Sequence, residues 1–303
     1  MRVTQSMLSN NLLRNLNTSY SKMSNLQQQI ESGSKINRPS DDPVVAIKGM
    51  SYRHQLDSNV QYQRNTNVAT SWLDTTDESL GQVGDTLNRV KELVVQASTD
   101  SLTADDRKAI AAEIDQLKEQ VRDIANTQVG DSYIFSGTHT DQPIYIAGQV
   151  GQNPALTTNG KNGEFTVEVF DNIGLQVNTN GSQLFADIDT YMSELSNALK
   201  TGATGNQLTK ALGETFGTGK GLDKISSEAL TMRSQVGAKQ NRLELMQNRL
   251  SIQEVNITKQ MSENEDTDYA KAITELTTAE SIHQASLSVG SKIIQQTLVD
   301  FMR

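Results

Sequence analysis

The 303-residue chain has no cysteine, so disulfides and thiolate metal sites are excluded, while the redox compartment stays open. It has four prolines, Pro39, Pro43, Pro143 and Pro154, and none in the spans 44–142 and 155–303. Spans that lack proline permit long helices. Hydrophobic residues make up 35% of the chain and aromatics 5%. That is too little apolar matter for one thick core, and it suits thin helical layers that each bury a narrow stripe. No apolar run approaches the ~18 residues a membrane-spanning helix needs. The formal net charge is −9, with no basic patch to replace phosphate counterions, which argues against nucleic acid. The N-terminal run MRVTQSMLSNNLLRNLNT has no apolar signal-peptide core. Alone, that predicts a cytoplasmic protein, or equally one exported without a cleaved signal.

Motifs that carry chemistry are missing too. His54, His139 and His283 fall in separate segments, with no HExxH companion. The stretch GETFGTGKG (Gly213–Gly221) superficially resembles a phosphate-binding loop. Its spacing is wrong, it lacks Gly-Lys-Ser/Thr, and no strand precedes it, so a flexible junction is the better account. There is no GxSxG element and no recognisable carboxylate pair. The expectation is a protein that is not an enzyme and uses no cofactor or metal.

What is present is organised around Ser32–Met50, SGSKINRPSDDPVVAIKGM, which separates two long helical patterns. Gly33 suits the position just after a helix end. Pro39 and Pro43 cannot continue a helix from upstream, because each lacks an N–H and clashes with the preceding turn. Asp42 before Pro43 reads as an N-cap followed by the first residue of a new helix. By capping and spacing alone this is a helix–helix loop.

Upstream, Leu13, Leu16, Tyr20, Met23 and Ile30 alternate in steps of three and four, with Gln27 breaking the stripe. This is a coiled-coil seam of modest quality. Downstream a helix runs from Val44 toward Asn67, and the polar run Asp57–Asn67 predicts a bend. Leu73, Thr76, Leu80, Val83, Leu87, Val90, Val94 and Ala97 then form the best seam in the chain. Gly81 and Gly84 lie inside it, at a cost of roughly 1 kcal/mol each against alanine in an exposed helix. Thr103 with Asp106 predicts a helix N-terminus, and Ile110, Ile114, Leu117, Val121 and Ile124 share one face beyond it. The short link Ser98–Leu102 makes this helix an antiparallel neighbour of the previous one.

GDSYIFSGTHTDQPIY (Gly130–Tyr145) ends the helical region, with strand propensity at Tyr133, Ile134 and Phe135. Phe165, Val167 and Val169 alternate, as do Ile173, Leu175 and Val177, around Asp171-Asn172, which predicts a hairpin. Ile188, Met192, Leu195 and Leu199 predict one helix. Helix returns with Leu222, Ile225, Ala229, Met232, Val236, Leu243, Met246, Leu250 and Ile257, with Lys239 and Gln253 as polar members. The acidic run Ser262–Asp268 reads as a solvated break whose Asp or Thr caps the last helix. That helix carries Ile273, Leu276, Ile282, Leu287, Ile293, Ile294, Leu298 and Phe301, a stripe wider than one seam needs.

The fold class that follows is mainly α: an elongated coiled-coil or helical-bundle rod with paired N- and C-terminal helices and a small α+β insertion. Three parts are expected. Residues 1–45 with 268–303 form a terminal assembly domain, 46–137 with 214–267 a helical core, and 138–213 an exposed insertion. Two terminal helices alone leave apolar surface uncovered, and such surface marks a partner interface. The candidate interface residues are Leu13, Leu16, Tyr20, Met23, Ile30, Leu287, Ile293, Ile294, Leu298 and Phe301.

GSKINRPSDDP resembles the connector near the N-terminus of the bacterial flagellin superfamily. Its form Asn37-Arg38-Pro39-Ser40-Asp41-Asp42-Pro43 resembles the branch found at the junction of hook and filament. LNRVKELVVQAS (Leu87–Ser98) is similar to the N-terminal core helix of that superfamily. Gln247–Met302 is similar to its C-terminal signature, through Glu265-Asp266 with Asp268, Gln284-Ala285-Ser286-Leu287 and Leu298-Val299-Asp300-Phe301. The insertion carries no comparable match.

The resemblance implies an extracellular structural subunit of the flagellum, exported unfolded through the flagellar type III apparatus without a cleaved signal. The implied partners are hook-associated protein 1, flagellin, further copies of itself and an export chaperone, with no nucleic acid and no membrane. The terminal helices would form a coiled coil facing the central channel and order on incorporation. Three other readings stand beside this one: the filament subunit itself, a filament-type enzyme with a peptidase insert, and an unrelated type III-secreted coiled-coil protein. Pro39, Pro43 and the YIFSGT string favour the junction branch over the filament subunit, and the missing HExxH argues against the enzyme.

Overall fold

The long proline-free spans do form long helices. The computed structural model describes residues 5–99, 102–146, 165–202, 205–213, 215–217 and 219–299, except for the side chains of residues 5, 6, 8 and 292–299. Its helices are α1 (Gln5–Ser32), α2 (Pro43–Ala97), α3 (Ala104–Ala125), α4 (Ser182–Lys200), α5 (Gly205–Ala211), α6 (Leu222–Glu265) and α7 (Tyr269–Val299). Three antiparallel two-stranded hairpins complete the described residues: β1 (Gln128–Val129) with β2 (Ser132–Tyr133), β3 (Thr166–Phe170) with β4 (Ile173–Gln176), and β5 (Thr215–Phe216) with β6 (Gly219–Lys220). The protein is mainly α.

The chain divides into two compact units, Met1–Ser58 with Ile252–Arg303, and Asn59–Ser251. Their bounds differ from the three parts expected from sequence. Residues 46–58 and 252–267 group with the terminal helices, and side chains tie the two stretches together: Asn264 donates to the Val45 carbonyl at 3.0 Å, and Arg53 pairs with Glu265. The described part of 138–213 groups with the helical core because it supplies much of that core.

In the larger unit the α2 seam is fully buried from Leu73 to Ala97 at all eight expected positions. The α6 seam matches it, with Leu222, Ile225, Val236, Leu243 and Leu250 buried. Polar pairs fix the antiparallel register of α2 and α6: Lys91 with Asp223 at 3.3 Å, Arg233 with Asp77 at 2.9 Å, Gln240 with Asp74 at 2.9 Å and Gln247 with Thr70 at 3.0 Å. The bend expected over Asp57–Asn67 is absent, and α2 is one helix. Two polar residues of that run are satisfied within the helical packing. Asn59 is buried and donates to the Leu250 carbonyl at 3.1 Å, and the buried Thr66 hydroxyl donates to the Gln63 carbonyl at 2.8 Å. The α2 seam therefore begins well upstream of Leu73, through polar members.

The helix α3 starts at the expected cap. The Thr103 hydroxyl accepts from the Asp106 N–H, and the Asp106 side chain accepts from the Thr103 N–H. Hydrogen bonds from Thr103 hold the Asp106 carboxyl below its ordinary range. An ion pair between Arg89 and Glu113 at 2.8 Å ties α3 back along α2. On its other side α3 packs against α4, where Arg122 meets Asp189 at 2.8 Å and Lys200 meets Asp115 at 2.7 Å.

The hairpin β3–β4 turns at Asp171-Asn172, with Asn172 in the left-handed region at φ 57°. It is strapped to the long helices. Asn65 donates to the Glu168 carbonyl at 2.8 Å, and the Phe170 ring lies 6.2 Å from the Tyr62 ring and 4.2 Å from the Arg249 guanidinium. Phe135 and Phe185 meet edge to face at 5.0 Å, and both are fully buried. Burial pushes the Tyr191 phenol far above its ordinary range. The stretch read as a flexible junction forms β5–β6, and Lys220 there pairs with Glu228 at 2.7 Å and Asp187 at 2.9 Å.

Candidate assembly surface

In the smaller unit α1 lies antiparallel to α7, as three pairs show. A Cβ on Gly290 would come within 2.7 Å of Leu12 Cδ2, the rings of Tyr20 and His283 are 6.4 Å apart, and a Cβ on Gly33 would lie 2.8 Å from the Tyr269 hydroxyl. The α1 face turned to α7 is Leu12, Leu16, Ser19, Met23, Leu26 and Ile30, with Leu26 buried and the rest half-buried. The facing positions on α7 are Ala272, Leu276, Ala279, His283, Ser286 and Gly290. Both sets alternate in steps of four and three, the spacing of a coiled-coil seam. Small side chains on α7 let the two backbones approach closely.

Three of the expected interface residues, Leu16, Met23 and Ile30, lie on this inner face. Leu13 (55% exposed), Tyr20 (63%) and Leu287 (51%) stand outside it. Ile293, Ile294 and Leu298 lie on α7, but their side chains fall outside the described residues, as does Phe301 entirely. Leu12 and Leu26 were missed. The register that includes them has no break at Gln27, but it places Ser19 in the seam, and that polar member hides it. On α7 the small residues Ala272, Ala279 and Gly290 were missed for a related reason. The large apolar residues Ile273, Ile282, Leu287 and Val289 point elsewhere, exposed on both flanks of the seam. An open groove of about 370 Å³ runs beside the pair, lined by Asn15, Lys22, Glu275 and Ile282 among others.

The connector is built as its sequence dictates. Gly33 ends α1 in the left-handed conformation at φ 71°, and its N–H reaches the Gln29 carbonyl at 3.0 Å. Asp41 closes the loop by accepting from the N–H of Asn37 at 3.3 Å and of Arg38 at 2.9 Å. Asp42 caps α2, accepting from the N–H of Val44 at 3.0 Å and of Val45 at 3.1 Å, with Pro43 as the first helical residue. Pro39 and Ser40 are exposed at the turn. Asp268 caps α7 through the Lys271 N–H at 3.2 Å, as expected of the acidic break.

The chemistry of this surface is apolar contact. Among the described residues, 18 large hydrophobic side chains are exposed, and thirteen of them belong to the smaller unit, Val44, Ile47, Met50, Ile252 and Val255 included. No group of three or more His, Asp or Glu side chains among the described residues could hold a metal ion. None of the described helices is long and apolar enough to cross a membrane.

Comparison with known proteins gives this geometry a family. Residues 3–140 match the model of the bacterial flagellin N-terminal helical region, and residues 220–302 that of the bacterial flagellin C-terminal helical region. The chain is 26% identical to the flagellar hook-associated protein 3 of Escherichia coli, over 94% of this chain and 95% of that protein. It is also 26% identical to the flagellin of Bacillus subtilis, over 98% and 97%. The fold is shared with a solved putative flagellar hook-associated protein from Vibrio parahaemolyticus, at a TM-score of 0.62 and 20% identity, covering 75% of this chain and 100% of that one. It is shared also with Bacillus cereus FlgL, at a TM-score of 0.55 and 23% identity, covering 70% and 99%. The chain therefore belongs to the bacterial flagellin family.

Proposed function

We propose that the protein is a structural subunit of the bacterial flagellum that forms the junction ring between hook-associated protein 1 and the flagellin filament. The observation that carries this reading is the uncovered apolar surface of the smaller unit, in a chain alike over nearly its whole length to a hook-associated protein 3. The connector string Asn37–Pro43 supports the junction rather than the filament. Assembly runs through residues 1–45 and 268–303, with Leu13, Tyr20 and Leu287 presented to neighbouring subunits and Leu16, Met23 and Ile30 closing the helix pair. Ordering a helix costs about 1–2 kcal/mol per residue in backbone entropy, and burial against neighbours offsets it. Folding of the terminal helices is thus completed by incorporation. During export a chaperone holds the C-terminal helix.

A filament subunit is the second reading, favoured by the equal identity to a flagellin. Immunogold electron microscopy of intact flagella separates the two. Residues 141–219 lie outside both family matches, so antibodies raised against them do not cross-react through the shared ends. Label confined to a narrow zone where hook meets filament is the expected result. Label along the whole filament would make the protein a filament subunit.

A further inference from the structure

The terminal helix pair is joined to the rest of the smaller unit through two interruptions, the connector after α1 and the break between α6 and α7. They are distant in sequence and bonded to each other. The Lys35 N–H donates to the Glu265 carbonyl at 2.7 Å, and the Thr267 N–H donates to the Gly33 carbonyl at 2.9 Å, around an antiparallel bridge between Ser34 and Asp266. The Ser34 hydroxyl reaches the Glu265 carbonyl at 3.3 Å, and Lys35 Nζ donates to the Glu263 carbonyl at 2.8 Å. Glu265 is itself pinned. Its buried side chain pairs with Arg53 and lies where a Cβ on Gly49 would sit, 1.7 Å from Oε1.

We propose that this clasp sets the register in which α1 and α7 pair. The seam alone cannot. On α7 its small residues Ala272, Ala279 and Ser286 recur every seven positions, and on α1 so do Leu12, Ser19 and Leu26 and the set Leu16, Met23 and Ile30. A slip of one heptad lays Leu16 on Ala279 and Met23 on Ala272, large on small again, and the cost falls on Leu12, which leaves Gly290 for His283, and on Leu26, which leaves Leu276 for Tyr269, so the seam discriminates weakly. The clasp removes the ambiguity by joining Gly33 to Thr267, just before the first turns of the pair. Pairing next to a closed loop loses the least chain entropy, so the seam closes outward from Ile30 and Ala272 toward Leu12 and Gly290. The inference concerns one chain and does not rest on where the protein assembles.

The absence of cysteine makes a clean test possible in the full chain. The pair Leu12→Cys with Gly290→Cys reads the native register, and Leu12→Cys with His283→Cys reads a one-heptad slip. With the clasp intact, only the first pair should oxidise to a disulfide. Lys35→Pro and Thr267→Pro each remove one main-chain donor from the clasp. Each should raise the ratio of slipped to native disulfide by roughly fivefold, the loss of effective concentration expected when the tether relaxes to the length of the connector. Far-ultraviolet circular dichroism reports whether the terminal helices stay folded, with Trp72 emission as the control for the larger unit. If a proline variant loses that signal, Ser34→Ala takes its place, and a smaller rise in the same direction is required of it. An unchanged ratio in the folded variants overturns the proposal.

Discussion

The two units spend their hydrophobic residues in opposite ways. Among the described residues 42 hydrophobic side chains are buried, and only Leu26, Ile257, Ala272 and Ala279 of these belong to the smaller unit. The same helix α2 shows both habits. Val44, Ile47 and Met50 are exposed near its start, while Leu73, Leu80, Val83, Leu87, Val90 and Val94 are buried further on. The larger unit completes its core within one chain. The smaller unit leaves thirteen large hydrophobic side chains exposed among the described residues. A seam read from sequence thus reports that a face will be covered, not whether its own chain covers it.

Substitutions can break this comparison. Phe185 is fully buried against Phe135 in the larger unit. Phe185→Ala should cost about 3–5 kcal/mol, through lost transfer energy and the cavity left behind. Urea denaturation followed by Trp72 emission measures it. Leu287→Asp, on exposed α7 surface, should leave the free chain within about 0.5 kcal/mol of the parent in urea denaturation followed by far-ultraviolet circular dichroism, which reports the helices of both units. It should nevertheless keep the protein out of assembled flagella. A large loss of stability in the free chain would show that the smaller unit is as complete as the larger.

The next effect is local. Gly49 sits under the Glu265 carboxylate, which pairs with Arg53. Gly49→Ala drives that buried carboxylate off its partner, at an expected cost of about 1–3 kcal/mol. The loss should appear as a lower first transition in far-ultraviolet circular dichroism, with the Trp72 transition unmoved. A shift of both together would mean that the two units unfold as one.

A weaker effect is expected at the start of α3. The Thr103 cap lowers the Asp106 pKa, so its stabilisation is present above the ordinary carboxylate range and is lost as pH falls through the lowered value. Thr103→Ala should therefore destabilise the larger unit at neutral pH, and the gap to the parent should narrow in acid. A gap that stays constant down the pH scale would assign the effect to the hydroxyl alone.

Much of the larger unit was legible because its signals are local. The eight-residue seam of α2, the box at Thr103 and the turn at Asp171-Asn172 each depend on spacing within a few residues. So do Gly33, Asp42 and Pro43 in the connector. What was not legible lies in contacts across the chain. The polar run Asp57–Asn67 stays helical because Asn59 reaches a carbonyl on α6. The hairpin strap needs Tyr62, Phe170 and Arg249 together, from three distant segments. The two bonds that close the clasp, from Lys35 N–H and Thr267 N–H, are main chain to main chain, which leaves no side-chain pattern to read. In the terminal pair alternate positions of α1 read one residue off, Leu13 for Leu12 and Tyr20 for Ser19, because apolar residues lie on both the inner and the outer faces. A helix with apolar residues on both faces has no single stripe.

The smallest expected effect sharpens the comparison most. Gly84 lies inside α2 of the larger unit, and a Cβ there would meet nothing within 4 Å. Beside it run Gly81, Leu87 and Arg233, with the exposed Leu230 on α6. In a helix interior glycine is worse than alanine, chiefly because the unfolded chain gains freedom, so Gly84→Ala should stabilise the larger unit by about 0.4–1 kcal/mol. The sign is opposite to that at Gly49 in the same helix, because Gly49 is filled by a neighbour and Gly84 is not. Within one chain nothing explains why position 84 keeps a glycine. Thermal melting gives the stability, and incorporation into flagella gives the other half of the answer. A variant that is more stable and assembles normally leaves the larger unit self-sufficient. A variant that is more stable yet assembles poorly means that a neighbouring subunit needs the space over Gly84, and then the division between a finished unit and an unfinished one is a matter of degree.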